Sequence, residues 1–194
     1  PDADKITVAG SSAGGAGVAG FAPFLVRKLF GNNVDLTVFN DAGPVAINLN
    51  AADDIAARAA DWDFGKFYPE SCTDCDDMGQ ATAIIDWRLA NDSSIREAFY
   101  STDGDTTNRF FLDVPTQEDY RTLLLIEHQD KLHADYPERY KNFIVSGDDS
   151  HTALQSPLFY TQEIDGIPLN EWARGLIEKK KSWLELVQEF IPLP

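Results

Sequence analysis

The pentapeptide Gly10-Ser11-Ser12-Ala13-Gly14 constrains this chain more than any other feature. It follows a short run rich in β-branched residues, Ile6-Thr7-Val8-Ala9. It precedes a segment of helical periodicity, Val18 to Phe30, apolar at Val18, Phe21, Leu25, Val26 and Leu29. Gly-x-Ser-x-Gly alone is a common pattern, but between a strand and a helix it reads as the sharp turn that presents a nucleophilic serine. The serine backbone in such a turn is strained. Side chains two residues to either side are expected to meet neighbouring strands, which assigns Gly10 and Gly14 to places of close approach, with Gly14 also bordering the pocket. The turn lifts the Ser12 hydroxyl above the sheet at a helix N-terminus, where the Ala13 N–H faces a developing oxyanion. Ser11 occupies the x position and is not the expected nucleophile. The glycines that follow, Gly15, Gly17 and Gly20, allow two other readings. A phosphate-binding P-loop lacks its lysine here. Gly15-Ala16-Gly17-Val18-Ala19-Gly20 has dinucleotide-loop spacing but begins too late after Ala9.

Three further segments read as strands: Val34 to Phe39, Ala98 to Ser101 and Asn142 to Val145. They are bounded by Gly, Asp and Asn and are rich in β-branched and aromatic residues. Helical patterns separate them at Ala81 to Leu89 and at Gln117 to Leu132, the latter with Thr116 as N-cap and Asp119 in its first turn. One or two more helices are expected in Leu169 to Phe190. Strands alternating with helices predict a mainly parallel sheet covered by helices. The stretch from Asn40 to Met78 has no clean period and holds Trp62, Phe64, Phe67 and Tyr68. It reads as a helical insertion whose aromatics either overhang a site or belong to the core. Neither a repeat nor a linker divides the chain, so residues 1–194 are expected to form one domain.

The charge balance narrows the partners. Sixteen Lys and Arg against 32 Asp and Glu leave a net charge of −16, which repels nucleic acid and anionic membrane surfaces. No apolar run approaches the roughly 18 residues that span a bilayer. The two cysteines, Cys72 and Cys75, lack the second pair that a structural zinc needs. They are candidates for a short-range disulfide in a secreted or extracytoplasmic protein, with free thiols or a redox pair as the other readings.

Three histidines limit the choice of a base. His128 and His133 fall within an amphipathic helix and read as its solvated face. His151 follows the last predicted strand, in Ser146-Gly147-Asp148-Asp149-Ser150-His151, where enzymes with parallel sheets gather site residues. The acid that orients this imidazole is expected in Thr102-Asp103-Gly104-Asp105-Thr106, with Asp105 as the choice and Asp103 as runner-up. An Asp-Gly turn that merely caps backbone is the other reading of that loop. Asp41, after the second strand, is placed by topology where an acid could also stand, but is expected to hold a loop at the pocket. Ser, then acid, then His is the chain order of the α/β-hydrolase fold. The expected architecture is therefore a partial three-layer αβα sandwich that begins at the nucleophile strand.

Several segments resemble one family. Val8-Ala9-Gly10-Ser11-Ser12-Ala13-Gly14-Gly15 with Gly17 is similar to the nucleophile segment of the pectin acetylesterase and Notum family. Asn40-Asp41-Ala42-Gly43 resembles its Asp-(Ser/Ala)-Gly segment. Ser101 to Thr107 followed by Arg109-Phe110-Phe111 resembles its acid-bearing loop, which points to Asp105, and Gly147 to His151 resembles its histidine loop. The similarity spans residues 5 to 177. It implies a carboxylic-ester hydrolase that uses no metal and no organic cofactor, acting on a small-molecule or polysaccharide ester. Plant-type members deacetylate pectin, and Notum removes a fatty acyl group from a signalling protein. The two cysteines resemble the bacterial branch rather than the cysteine-rich animal members, which speaks against a lipidated protein as substrate.

In a complete enzyme of this fold several strands precede the nucleophile, whereas here the serine is residue 12. The N-terminal part of the fold is thus the expected partner. With it would come the family's remaining oxyanion donors, on a Gly-Trp loop. The first strand is expected to present an open edge. One oxyanion donor is worth roughly 3–4 kcal/mol of transition-state stabilisation, so the chain alone is expected to be poorly active. A binding protein on an inactive hydrolase scaffold is the alternative function.

Overall fold

The computed structural model describes residues 2–194. Four strands lie side by side in chain order and all parallel: β1 Lys5–Ser11, β2 Asp35–Asp41, β3 Arg96–Thr102 and β4 Tyr140–Val145. Each predicted strand is present. Further on, β5 Glu163–Ile164 and β6 Ile167–Pro168 form a separate antiparallel hairpin. Its Asp165-Gly166 turn has both residues at positive φ, the chemistry that two-residue hairpin loops favour. The short β7, Leu186–Val187, adds parallel to β4 and completes a five-stranded sheet. The segment 169–190 holds one helix, Leu169–Ile177, as expected, and this short strand after it was not expected. Two residues carry no readable alternation, and only pairing with Phe143 and Ile144 makes them a strand.

The helices are α1 Ala13–Gly20, α2 Ala22–Phe30, α3 Ala52–Trp62, α4 Ala83–Asn91, α5 Thr106–Phe111, α6 Gln117–Leu124, α7 Leu158–Thr161 and α8 Leu169–Ile177. The single helix expected over Val18 to Phe30 is two, broken at Phe21. Pro23 cannot donate to a preceding carbonyl and instead takes a place in the first turn of a new helix. The helix from Gln117 starts as expected, with Thr116 Oγ1 accepting the Asp119 N–H at 3.0 Å. From Leu125 to His133 it continues as a π-helix.

Alternation along the strands sends side chains to two separate cores. Val38, Phe99 and Ile144 pack with Ala19, Val26, Ile84, Leu89, Tyr120 and Leu124 from α1, α2, α4 and α6. Phe39, Tyr100, Phe143 and Val145 pack on the other face with Leu169, Trp172 and Leu176 of α8. Each large side chain so buried contributes roughly 1.5–3 kcal/mol. The result is helix, sheet, helix in three layers. β1 lies at the edge and alternates exposed and half-buried residues, whereas β4 is buried throughout. Arg88 of α4 is buried against Glu97 of β3 and also donates to the Ala19 and Gly20 carbonyls. It thereby fixes the far end of the helix that begins beside Ser12.

Two expectations about side chains change. His128 is not on a solvated face. It is fully buried, stacked on Phe99 at 3.8 Å between ring centres, with Nδ1 2.7 Å from the Tyr140 hydroxyl. The wider π-turn rotates side chains away from the face that a 3.6-residue period assigns. His133 is half-buried, with Nδ1 2.8 Å from the Tyr140 carbonyl. In the insertion, Cys72 and Cys75 form a disulfide. Phe64, Phe67 and Tyr68 gather around Phe21, and Trp62 packs edge-on to Phe64. Phe21 lies at the end of α1 remote from Ser12, about 12 Å along the helix axis. The aromatics therefore form a small cluster there instead of a cover over the serine.

Candidate active site

Parallel register brings the strand ends to one edge of the sheet. Ser11 pairs with Asp41, Asp41 with Tyr100, and Thr102 with Val145. The chain therefore leaves the sheet at Ser12, Ala42, Asp103 and Ser146 along a single line. Ser12 stands between β1 and α1 with φ 56° and ψ −124°, a conformation that costs a non-glycine residue energy and persists only where its surroundings impose it. They do so through close approach. A Cβ on Gly10 would lie 2.3 Å from the Gly14 carbonyl oxygen, and one on Gly15 2.4 Å from Asn40 Oδ1 and 2.8 Å from Gly43 Cα. The contact with the neighbouring strand's end is thus at Gly15, not at Gly10 or Gly14. A Cβ on Gly14 would meet nothing within 4 Å, and the residue is exposed in the first turn of α1. It has no steric role in the turn. Gly15, Gly17 and Gly20 lie inside α1, so no glycine loop exists to wrap a nucleotide phosphate.

His151 enters from the loop after β4. Thr102 Oγ1 donates to the Ser150 carbonyl at 2.6 Å, and the Ser150 N–H donates to Asp148 at 2.7 Å. Burial raises the Asp148 pKa, but hydrogen bonds from Ser150 and Gln162 outweigh it and hold the carboxyl below its ordinary value. The loop stays anchored by an ionised group. His151 Nε2 lies 2.7 Å from Ser12 Oγ, and Nδ1 lies 2.7 Å from Asp105 Oδ2. A carboxylate only accepts, so Nδ1 carries the proton and Nε2 is left to accept from the serine hydroxyl. The imidazole keeps some solvent access, whereas Asp105 is fully buried.

Asp105 has two roles at once. Its Oδ1 caps α5 by accepting the Asn108 N–H at 2.8 Å, and its other oxygen faces the imidazole. Asn108, which the sequence did not single out, also donates through Nδ2 to the Ala42 carbonyl and to the Tyr120 hydroxyl. An Asp three residues before an Asn at a helix start was the available signal. Asp103 lies apart from the imidazole. It is buried among Arg121, Gln117, Ser146 and the Gly147 N–H, and so ties β3 to β4 and α6. Asp41 is fully buried beneath the histidine loop and lines no open pocket. Ala13 is the first residue of α1 and is exposed. Its N–H belongs to the first turn, where helical amides have no partner within the helix. Among the described residues, no three His, Cys, Asp or Glu side chains converge to hold a metal.

A mainly parallel sheet between two helical layers, with a serine on the strand-to-helix turn, is the architecture of the α/β-hydrolase fold. Two crystal forms of the Wnt deacylase Notum from Drosophila share this fold with TM-scores of 0.62. One is 20% identical over 98% of this chain and 56% of its own length, the other 19% over 97% and 58%. The chain thus spans a little over half the length of these structures. At such identity the likeness is one of fold. No protein-family model matches the chain, and no curated protein matches it.

Proposed function

We propose that the chain carries the triad of a serine carboxylic-ester hydrolase that deacylates a carbohydrate or related ester. The observation that carries this reading is the unbroken relay Ser12–His151–Asp105, two contacts of 2.7 Å on opposite nitrogens of one ring. His151 takes the Ser12 proton as Oγ attacks the ester carbonyl, and Asp105 stabilises the imidazolium that forms. The Ala13 N–H helps to hold the oxyanion. His151 then protonates the departing alcohol, and water repeats the attack to release the acid from the acyl-enzyme. Deacylation by the Drosophila structures named above is in keeping with this chemistry. The open edge of β1 supports a further reading: a preceding part of the fold pairs there and brings additional oxyanion donors. The disulfide supports an oxidising, extracytoplasmic compartment. The assignment to a bacterial-type branch rests on the same cysteine pair.

Labelling with an alkyl fluorophosphonate tests the reading, because only an activated serine reacts. Labelling at Ser12 that Ser12→Ala abolishes is the expected result. A folded chain that stays unlabelled favours the alternative, a binding protein on an inactive scaffold.

A further inference from the structure

The relay explains how the three side chains react but not what holds three separate loops in register to a fraction of an ångström. The connections run through one short segment at the end of β2, Asn40-Asp41-Ala42-Gly43. The Asp41 carbonyl accepts the Ser12 N–H at 2.9 Å. Its carboxylate accepts the Ala153 N–H at 2.9 Å, the Leu154 N–H at 3.0 Å and the Ser11 hydroxyl at 2.5 Å. The next carbonyl, that of Ala42, accepts from Asn108, whose own N–H is bound by Asp105. Asn40 Oδ1 accepts the Gly43 N–H at 2.7 Å and closes the turn. Ala42 itself sits at φ 55°, a left-handed conformation that this bracing sustains.

We infer that Asp41 is a positioning residue: it clamps the loop that carries His151 onto the strand that carries Ser12. The inference rests on the triad proposed above and adds to it the element that sets its geometry. Asp41 touches none of the three reacting side chains. Its carboxylate holds Ser11, immediately before the nucleophile, and Ala153 and Leu154, beyond the base. The chemistry of the site requires a carboxylate. Three donors converge on it, and two of them are backbone amides with no freedom to reorient. An asparagine offers one oxygen and turns its NH2 toward a donor. The Asp41 side chain is fully buried, so water does not readily substitute for a lost contact.

Misplacement of a reacting group by about 1 Å costs roughly a hundredfold in rate. In Asp41→Asn, the first-order step of fluorophosphonate labelling at Ser12 is expected to slow roughly ten- to a hundredfold. The probe concentration that gives half-saturation stays the same, because Asp41 contacts neither the serine side chain nor the space above it. Amide hydrogen exchange reads the clamp independently. In the wild-type chain, the Ala153 and Leu154 amides are expected to be protected; in Asp41→Asn they lose that protection while Phe143 and Ile144 in β4 keep theirs. Wild-type labelling at Ser12 with equally fast labelling of Asp41→Asn overturns the positioning role alone. A wild-type chain that labels nowhere removes the triad reading and the positioning role with it. Should the variant not fold, the wild-type amides decide: exchange of Ala153 and Leu154 at the rate of an open loop overturns the clamp, and protection supports it.

Discussion

At the carboxyl edge of the sheet, His151 has Nδ1 2.7 Å from the buried Asp105 carboxylate. In the helical layer under the same sheet, His128 has Nδ1 2.7 Å from the Tyr140 hydroxyl. Ring, nitrogen and distance are the same, and the partner's charge is not. A carboxylate stabilises an imidazolium, so a ring beside it can take up and release a proton. A neutral hydroxyl offers no such compensation. Burial alone then lowers the His128 pKa from 6.5 to about 3, and the ring behaves as a core aromatic stacked on Phe99. Access differs as well: His151 faces the serine at the strand ends, and His128 is sealed. The contrast shows that a perturbed, buried histidine is not by itself a sign of chemistry. What distinguishes His151 is a buried anion on one nitrogen and a hydroxyl on the other.

The largest expected effect removes the charge that distinguishes the two rings. Asp105→Asn keeps the shape but presents an NH2 that favours the wrong tautomer, so labelling of Ser12 is expected to slow by about 10⁴ with little change in melting temperature. A smaller loss would mean that another carboxylate serves His151.

Asp103→Ala tests the neighbouring carboxylate that the imidazole does not use. It leaves Arg121 without its buried partner and strands Ser146 and Gln117, which costs about 3–5 kcal/mol. Urea unfolding measures this. A loss in labelling without a loss in stability would reverse the roles given to Asp103 and Asp105.

Acid titration probes the silent ring. Folded His128 binds a proton far less readily than the unfolded chain does, so the unfolded state is favoured as pH falls below 6.5. The contribution is fully present above that pH and declines by about 1.4 kcal/mol per unit toward pH 3. Asp92 and Asp148, whose carboxyls lie below their ordinary values, lose stabilisation only lower, in the carboxylate range. Glu185, raised by burial, works in the opposite sense. The clean measurement is therefore melting temperature against pH for wild type and His128→Phe. The variant is expected to be less stable by about 1–3 kcal/mol at pH 7, where Tyr140 loses its partner, and to show a flatter slope between pH 6.5 and 4.5. Parallel slopes would contradict a neutral His128.

The smallest effect belongs to the region remote from both rings. Cys72→Ala opens a very short loop, so its entropic contribution is at most about 2 kcal/mol. The aromatic cluster beside it lies at the far end of α1, and labelling of Ser12 is expected to stay at the wild-type rate. A marked loss would show that the insertion reaches the serine after all.

Much of this arrangement is legible along the chain. The elbow at Ser12 reads from two glycines and a change of period, and the four strands read from β-branched runs between turn residues. His151 stands out because it alone among three histidines follows a strand. Asp103 and Asp105 are harder to separate, since both sit in one loop two residues apart. Asp105 faces the imidazole because it caps α5, whereas Asp103 turns toward Arg121 on a later helix. Nothing near His128 announces a π-helical turn, so a 3.6-residue period assigns its face wrongly. Leu186 and Val187 become a strand only beside β4.

The residue order alone determined where the chain turns sharply, which four segments form the main parallel strands and in what succession Ser12, the Asp103–Asp105 loop and His151 follow one another. Steric limits that call for glycine at sharp turns, and the periodicity of buried side chains, act within a few residues, so they are written locally. Tertiary structure alone decided which carboxylate meets the imidazole, which histidine is sealed from protons and that Asp41 grips the loop beyond His151. Those outcomes depend on the register of parallel strands and on the depth of burial, and both are set by partners up to 139 residues away in the chain.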